Sequence, residues 1–229
     1  MTKNGLIMKS MRRAVTGTPR TSGKQPVHVR DREATTAAIL AAAEVEFAQH
    51  GLQFARTEDI AKRVGVAKGM IHHYFRTKDQ LFEAVLIEAN RFALEAINAA
   101  IMPDASPREA LLSFVESLMQ AFHERPTIPP LFLLESIQNQ GIHYKKVKAT
   151  SLYTKLEPIL ARGIAEGYFR KFDPWYVAVN ILGLCIYYYA AAKNIALMGR
   201  HTADAFDTLS QQKNAQEVLA LVDRGTEKR

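Results

Sequence analysis

The chain has 229 residues, 48% of them hydrophobic, a formal net charge of +7 and a single cysteine, Cys185. That hydrophobic share excludes a disordered chain and suits one large domain, or a small domain joined to a larger one. The lone cysteine, set in an apolar run, excludes an internal disulfide framework and fits a reducing compartment and a plain core role.

The first element is a basic arm, residues 1–29. It carries Lys3, Lys9, Arg12, Arg13, Arg20 and Lys24 and no acid, with Arg30 just beyond it and the chain's first acid at Asp31. The remaining 23 Lys and Arg balance 23 Asp and Glu, so a neutral body carries a basic tail. Such a tail suits contact with phosphates. It equally fits a solvated tail, or a start placed upstream of a true one at Met8 or Met11. It has no apolar run followed by a small-residue cleavage site, so no secretory signal is expected and a cytoplasmic location follows.

From Arg30 to His50 an alanine-rich segment with Ala38, Leu40, Ala41, Val45 and Phe47/Ala48 predicts a helix, stopped by Gly51 as a left-handed cap. After a loop, Leu52 to Arg56, come two short helices. Thr57–Val64 places Ile60, Ala61 and Val64 on one face, Gly65-Val66 makes the corner, and Lys68–Phe75 buries Ile71 and Phe75 four apart. This is a helix-turn-helix layout. The expected core of the three helices is Leu40, Phe47, Ile60, Val64, Ile71 and Phe75.

The motif I-A-x-x-x-G-V-x-x-G-x-(I/L)-x-x-Y-F-x-x-K-x-x-L runs through this unit as Ile60, Ala61, Gly65, Val66, Gly69, Ile71, Tyr74, Phe75, Lys78 and Leu81. It closely resembles the DNA-binding segment of TetR-type repressors, and so many matched positions make a far more specific signal than a lone glycine motif.

Thr77 with Gln80 predicts a capped helix whose stripe runs from Leu81 and Phe82 through Phe92 and Ile97 to Met102. At roughly 25 residues it would span close to 40 Å, enough to leave the head and enter a second domain as a lever. Pro103-Asp104 ends it. Ser106-Pro107-Arg108-Glu109 is a capping box opening a helix through Phe122, broken at Arg125-Pro126. Thr127–Asn139 reads as a short apolar helix, broken at Gln140-Gly141. A longer helix, His143–Glu166, is expected to kink at Pro158 and to be capped by Gly167.

After Asp173-Pro174, a run of about 18 residues from Trp175 to Ala192 carries no charge. Asn180 and Gly183 at its centre, and the lack of flanking polybasic loops, speak against a membrane span. A helix apolar all round is expected to be buried all round, one side in its own domain and the other against a partner subunit. The last helix, Thr202–Arg224, has a weaker stripe of Ala205, Leu209, Val218, Leu219 and Val222, before a polar tail at 226–229.

The expected fold is therefore all-α, with about nine helices. A three-helix DNA-binding head spans 30–77 and a larger regulatory and dimerisation body spans 78–225, of which 78–102 is the connecting helix. Similarity to TetR regulators implies a homodimer that binds a palindromic operator in double-stranded DNA and represses transcription until released by a small, largely apolar or aromatic effector. It implies base-edge contacts for Lys68, Gly69, Met70 and His72, phosphate contacts for Tyr74 and Lys78, and backbone clamping by Arg56 and Thr57. His73 fits either group. Met70 fits a thymine methyl or the core equally well. Arg56 stands where a Ser or Thr N-cap is frequent, so it either meets a phosphate or leaves capping to Thr57.

The resemblance further implies an inducer pocket in the body, for which Phe92, Phe114, Leu118, Phe122, Leu133, Ile137, Trp175, Val179 and Tyr187 are candidates. The dimer would form through the last two long helices, with Ile186, Ala190, Leu209, Val218, Leu219 and Val222 as candidates. No P-loop, dinucleotide fingerprint, H-E-x-x-H pair or nucleophile elbow is present, so no enzyme and no cofactor is expected. No metal site is expected either, since His72 and His73 diverge on a helix without a third ligand nearby.

Overall fold

The computed structural model of the chain describes residues 27–147, 151–198 and 208–228. Most of the basic arm, Ala205 and the expected start of the last helix at Thr202 lie outside the described residues. The described helices are α1 (Val27–Phe54), α2 (Thr57–Val64), α3 (Lys68–Tyr74), α4 (Lys78–Ala100), α5 (Pro107–Glu124) and α6 (Ile128–Gln138). They continue with α7 (Tyr144–Val147), α8 (Leu152–Ala165), α9 (Pro174–Ala190), α10 (Ala192–Leu197) and α11 (Thr208–Thr226). The fold is all-α. The count exceeds the expectation because α7 and α10 are short separate pieces.

Side-chain caps set several of the boundaries. The Thr77 hydroxyl accepts the Gln80 N–H at 3.1 Å and starts α4. At α5, the Glu109 carboxylate accepts the Ser106 N–H at 2.9 Å while the Ser106 hydroxyl accepts the Glu109 N–H at 3.3 Å. This is the reciprocal capping box its sequence predicts. The Asp173 carboxylate accepts the Trp175 N–H at 2.9 Å and opens α9.

Three expectations need correction. The buried face of α1 is carried by Ile39, Ala42, Ala43 and Phe47, while Ala38 and Ala41 are exposed and Leu40 is half-buried. Val64 and Phe75 likewise reach only half-burial. The helix expected over 143–166 is two helices, because Ser151 is extended (φ −77°, ψ 155°) and α8 starts only after it. Gly51 (φ 70°, ψ 173°) kinks α1 and does not end it, so 52–54, expected as loop, are helical. In a single chain the uncharged run has Ala178, Ile181, Leu182, Cys185 and Tyr189 facing inward, while Tyr176, Leu184 and Tyr187 are exposed.

α4 is the hub. It packs on α1 at the head and on α5 in the body, while α1 also lies against α6 and α9 lies against α6 and α8. One hydrophobic cluster runs through both ends of the molecule. In the head, Phe47 meets Phe82 edge-on at 5.0 Å; in the body, Phe122 meets Tyr189 at 5.8 Å, and the Tyr189 hydroxyl donates to the Met119 carbonyl at 2.9 Å. Each such buried ring stabilises by about 2–3 kcal/mol, so head and body share a continuous interior.

Candidate nucleic-acid interface and effector cavity

α2 starts without a side-chain cap. Arg56 occupies the N-cap position in extended backbone (φ −114°, ψ 126°), and its N–H donates to the carboxylate of Glu46 at 3.2 Å. Thr57 does not cap either, since its hydroxyl donates to the Glu58 carboxylate at 3.4 Å. The corner is Gly65 (φ 78°, ψ 27°), whose N–H reaches the Ala61 carbonyl at 2.9 Å. Nothing lies within 4 Å of where a Cβ would stand, so the left-handed backbone alone calls for glycine there.

α3 buries one residue, Ile71. Lys68, Gly69, Met70, His72 and His73 are exposed, and Tyr74 is half-buried. The helix is thus pinned at one point and open on its other faces. Met70 is 36% exposed, which places it outward and away from the core. Gly69 has open space around it. The Lys68 ammonium pairs with Glu58 of α2 and, foremost by that hydrogen bond, holds the Glu58 carboxyl below its usual range.

Two neighbours of α3 hold unexpected positions. The Lys78 ammonium donates to the Gln53 and Ala55 carbonyls at 3.1 and 3.2 Å, tying the start of α4 to the end of α1. Arg32 of α1 lies over the Tyr74 ring at 5.9 Å from its centroid, and His73 meets the same ring edge-on at 5.5 Å. Arg32 stands in the same amphipathic helix as Leu40, but nothing in its spacing marks it as a neighbour of Tyr74.

The link between head and body is a buried acid. Glu44 of α1 is 5% exposed. It accepts hydrogen bonds from the Arg125 guanidinium, at the end of α5, and from the Thr127 hydroxyl. Thr127 is the residue at which α6 begins, and its hydroxyl serves Glu44 instead of capping α6. The guanidinium also sits over the Phe92 ring at 4.6 Å and lies 3.9 Å from Glu88, so α1, α4 and the α5–α6 corner meet at one side chain. An open, charged cleft of about 1090 Å³ lies beside this junction.

The other end of α6 holds α7. Buried Glu135 accepts the His143 and Tyr144 N–H groups at 2.8 and 3.0 Å and the Asn139 amide at 2.7 Å. The His143 ring packs edge-on to Phe82 at 5.4 Å, with its Nδ1 3.1 Å from Glu83 of α4. Lys146 donates to the same carboxylate at 2.6 Å.

Between α6, α7, α8 and α9 lies a cavity of about 590 Å³, within the usual size range of small-molecule sites. Of the candidate pocket residues it is lined by Leu133, Val179 and Tyr187. Phe114, Leu118 and Phe122 lie fully buried in the core, and Phe92 lies under Arg125. Ile137 is 67% exposed, and the Trp175 ring lies 5.2 Å from that of Tyr153, tilted by 33°; Tyr153 lines the cavity. Sequence reasoning missed Phe132, Tyr144, Lys145, Tyr153 and Leu182 in the lining; α7 and its pinning by Glu135 bring Tyr144 and Lys145 there, which no spacing rule reveals. Ile186, a dimer candidate, also lines it.

Of the other dimer candidates, Val218 and Val222 face the chain's own core, Ala190 and Leu219 are half-buried, and Leu209 is exposed. Among the described residues no cluster of His, Cys, Asp and Glu is placed to hold a metal, and no helix is long and apolar enough to cross a membrane.

Comparison with known proteins gives two matches along the chain. Residues 39–85 match the N-terminal domain described as bacterial regulatory proteins, tetR family, and residues 107–219 match a tetracyclin repressor-like C-terminal domain. The transcriptional regulator RutR of Escherichia coli O157:H7 is 25% identical over 206 residues, covering 89% of this chain and 95% of RutR. The transcriptional repressor NicS of Pseudomonas putida is 27% identical over 209 residues, covering 87% and 94%. The crystal structure of the regulator SCO4942 from Streptomyces coelicolor superposes with a TM-score of 0.66 at 22% identity, covering 84% of this chain and 98% of that one.

Proposed function

Since the chain belongs to the TetR family and is a DNA-binding transcriptional regulator, we propose that it is a cytoplasmic repressor that reads a palindromic operator as a homodimer and is released by a small apolar or aromatic effector. The observation that carries the DNA-reading half is α3, held at Ile71 alone and exposing Lys68, Gly69, Met70, His72 and His73. A helix so mounted fits the major groove, where base edges differ. Lys68, Gly69, Met70 and His72 are the base-reading set, Tyr74 meets phosphate with Arg56 and Thr57 alongside, and the basic arm adds sequence-independent attraction. Lys78 acts chiefly by fixing α4 to the end of α1.

In this reading residues 30–77 form the head and 78–225 the body. An effector in the cavity bears on α6 through Phe132, Leu133 and Ser136. α6 begins at the Thr127–Glu44 contact with α1 and ends at the Glu135 anchor of α7, which touches α4 through Glu83. A ligand that prefers one setting of α6 therefore biases both helices that carry the head, and DNA affinity falls by its differential binding to the two states.

Selection of bound duplexes from a random pool tests the proposal. Two inverted half-sites about one helical turn apart, roughly 34 Å, are expected, with His72→Ala relaxing preference at particular bases. Recovery of duplexes without a shared sequence, or without inverted symmetry, overturns it.

A further inference from the structure

The charge of the effector can be read from the cavity between α6 and α9. Among the described residues its lining contains one charged side chain, Lys145, and no carboxylate. The walls are otherwise apolar or aromatic, with Phe132, Leu182 and Ile186 on the sides, and Ser136 and Tyr153 supplying hydroxyls. Acids near this part of the fold are already engaged: Glu135 is buried and accepts three hydrogen bonds, and Glu83 is held by Lys146 and His143. The two adjacent lysines of α7 are thus unlike. Lys146 is tied to α4, whereas Lys145 has no hydrogen-bond or ion-pair partner among the described residues.

Resting on the cavity as the effector site, we propose that the effector is an amphipathic organic carboxylate: an aromatic or branched aliphatic body in the apolar slot, its anionic head at the Lys145 ammonium. A cationic ligand would meet a like charge and no acid. A neutral one would leave Lys145 without the charge-assisted hydrogen bond that an anion provides. A phosphorylated or polyanionic ligand would find, among the described residues, one cation and a largely apolar wall. Because Lys145 is exposed, the attraction is screened by salt, and the preference is moderate in size.

The test uses the full chain and three probes with one body and different heads: 4-phenylbutyrate, its amide and 4-phenylbutylamine. Binding is followed by emission from Trp175, the chain's single tryptophan, whose ring lies 5.2 Å from that of the cavity residue Tyr153. Release of a selected operator duplex is measured in parallel. The expected result is that the carboxylate binds about twofold to fivefold more tightly than the amide at low salt. The amine is expected to bind most weakly, and the carboxylate's advantage to shrink as salt rises. Lys145→Gln, an exposed substitution checked for an unchanged melting temperature, should bring carboxylate and amide level without altering the amide. Ser136→Phe, which fills the cavity, should weaken all three.

Equal or better binding of the amide or amine, or a carboxylate preference that survives Lys145→Gln, overturns the anionic class while leaving the cavity as the site, provided Ser136→Phe still blocks binding. Binding untouched by Ser136→Phe overturns the cavity itself. No response to any probe up to about 10 mM, the weakest range worth reading as specific, overturns both.

Discussion

Cys185 lies wholly inside the body on the inward face of α9, and burial pushes its thiol up to about 12. At pH 8 the native chain therefore holds almost no thiolate at that position, and the sulfur is covered as well. Iodoacetamide is expected to leave the native protein unmodified for hours and to label it within minutes in urea, as read by mass spectrometry; rapid native labelling would show that α9 does not seal against α5. Single residues also mark where spacing stops being informative. Ile60, Ala61, Gly65 and Ile71 took the structural places their motif implies, because their neighbours lie within a turn or two of chain. Lys78 did not show its partners in the sequence, since the carbonyls it binds lie 25 and 23 residues away. Arg125 is a second case: written as a helix breaker beside Pro126, it proves to be the cation for a buried acid 81 residues earlier.

Helix boundaries were legible where the signal is chemical and local. Thr77, Ser106 with Glu109, and Asp173 cap helices as their side chains dictate, and Gly65 and Gly167 adopt positive φ just past their helices, whereas Gly51 kinks α1 without ending it. Faces were less legible. In α1 the stripe was misplaced because alanine is nearly indifferent to burial, so the pattern around Ala38 and Ala41 carried little weight against Ile39 and Phe47. α7 was absorbed into a longer helix because its separation depends on Glu135 reaching forward eight residues to the His143 N–H. Two expectations belong to these elements. Glu44→Gln should lower stability by about 2–4 kcal/mol in denaturant melts, since it removes the buried carboxylate that pairs the half-buried Arg125 guanidinium. It should also blunt effector-driven DNA release, and an unchanged midpoint would mean that the junction of α1 with the α5–α6 corner is ornamental. Glu83 gives a pH signature. Burial alone would raise its carboxyl, but the hydrogen bonds from Lys146 and His143 outweigh that and hold it low. A lowered acid contributes stability above its unfolded value, about 4.3, and loses it as pH falls through the folded value. The stability gap between wild type and Glu83→Gln should therefore be level from about pH 5.5 upward and shrink toward pH 3.5; a gap that widens in acid would contradict the contact.

At the scale of the whole molecule, the sequence suggested two parts joined by a connecting helix, and the family likeness suggested what each is for. It did not disclose which side of α9 is inward. An uncharged run has no hydrophobic contrast, so its inner and outer faces look alike until neighbours are placed. In a single chain Tyr176, Leu184 and Tyr187 stand in water on one face, a natural seat for the second copy. Leu184→Glu is expected to halve the mass seen by light scattering while the helical content by circular dichroism stays unchanged. Val218→Glu should instead unfold the chain, because Val218 is 5% exposed and faces the core. A full-mass Leu184→Glu protein would move the dimer elsewhere. With the second copy seated on this bare apolar face, gene dosage would be an input to the switch. A subunit whose cover is another copy of itself has an assembly, and so a stability, set by how much of it the cell makes. When subunits are scarce, operator occupancy rises with the square of expression rather than in proportion, so a twofold change in synthesis becomes about a fourfold change in bound repressor.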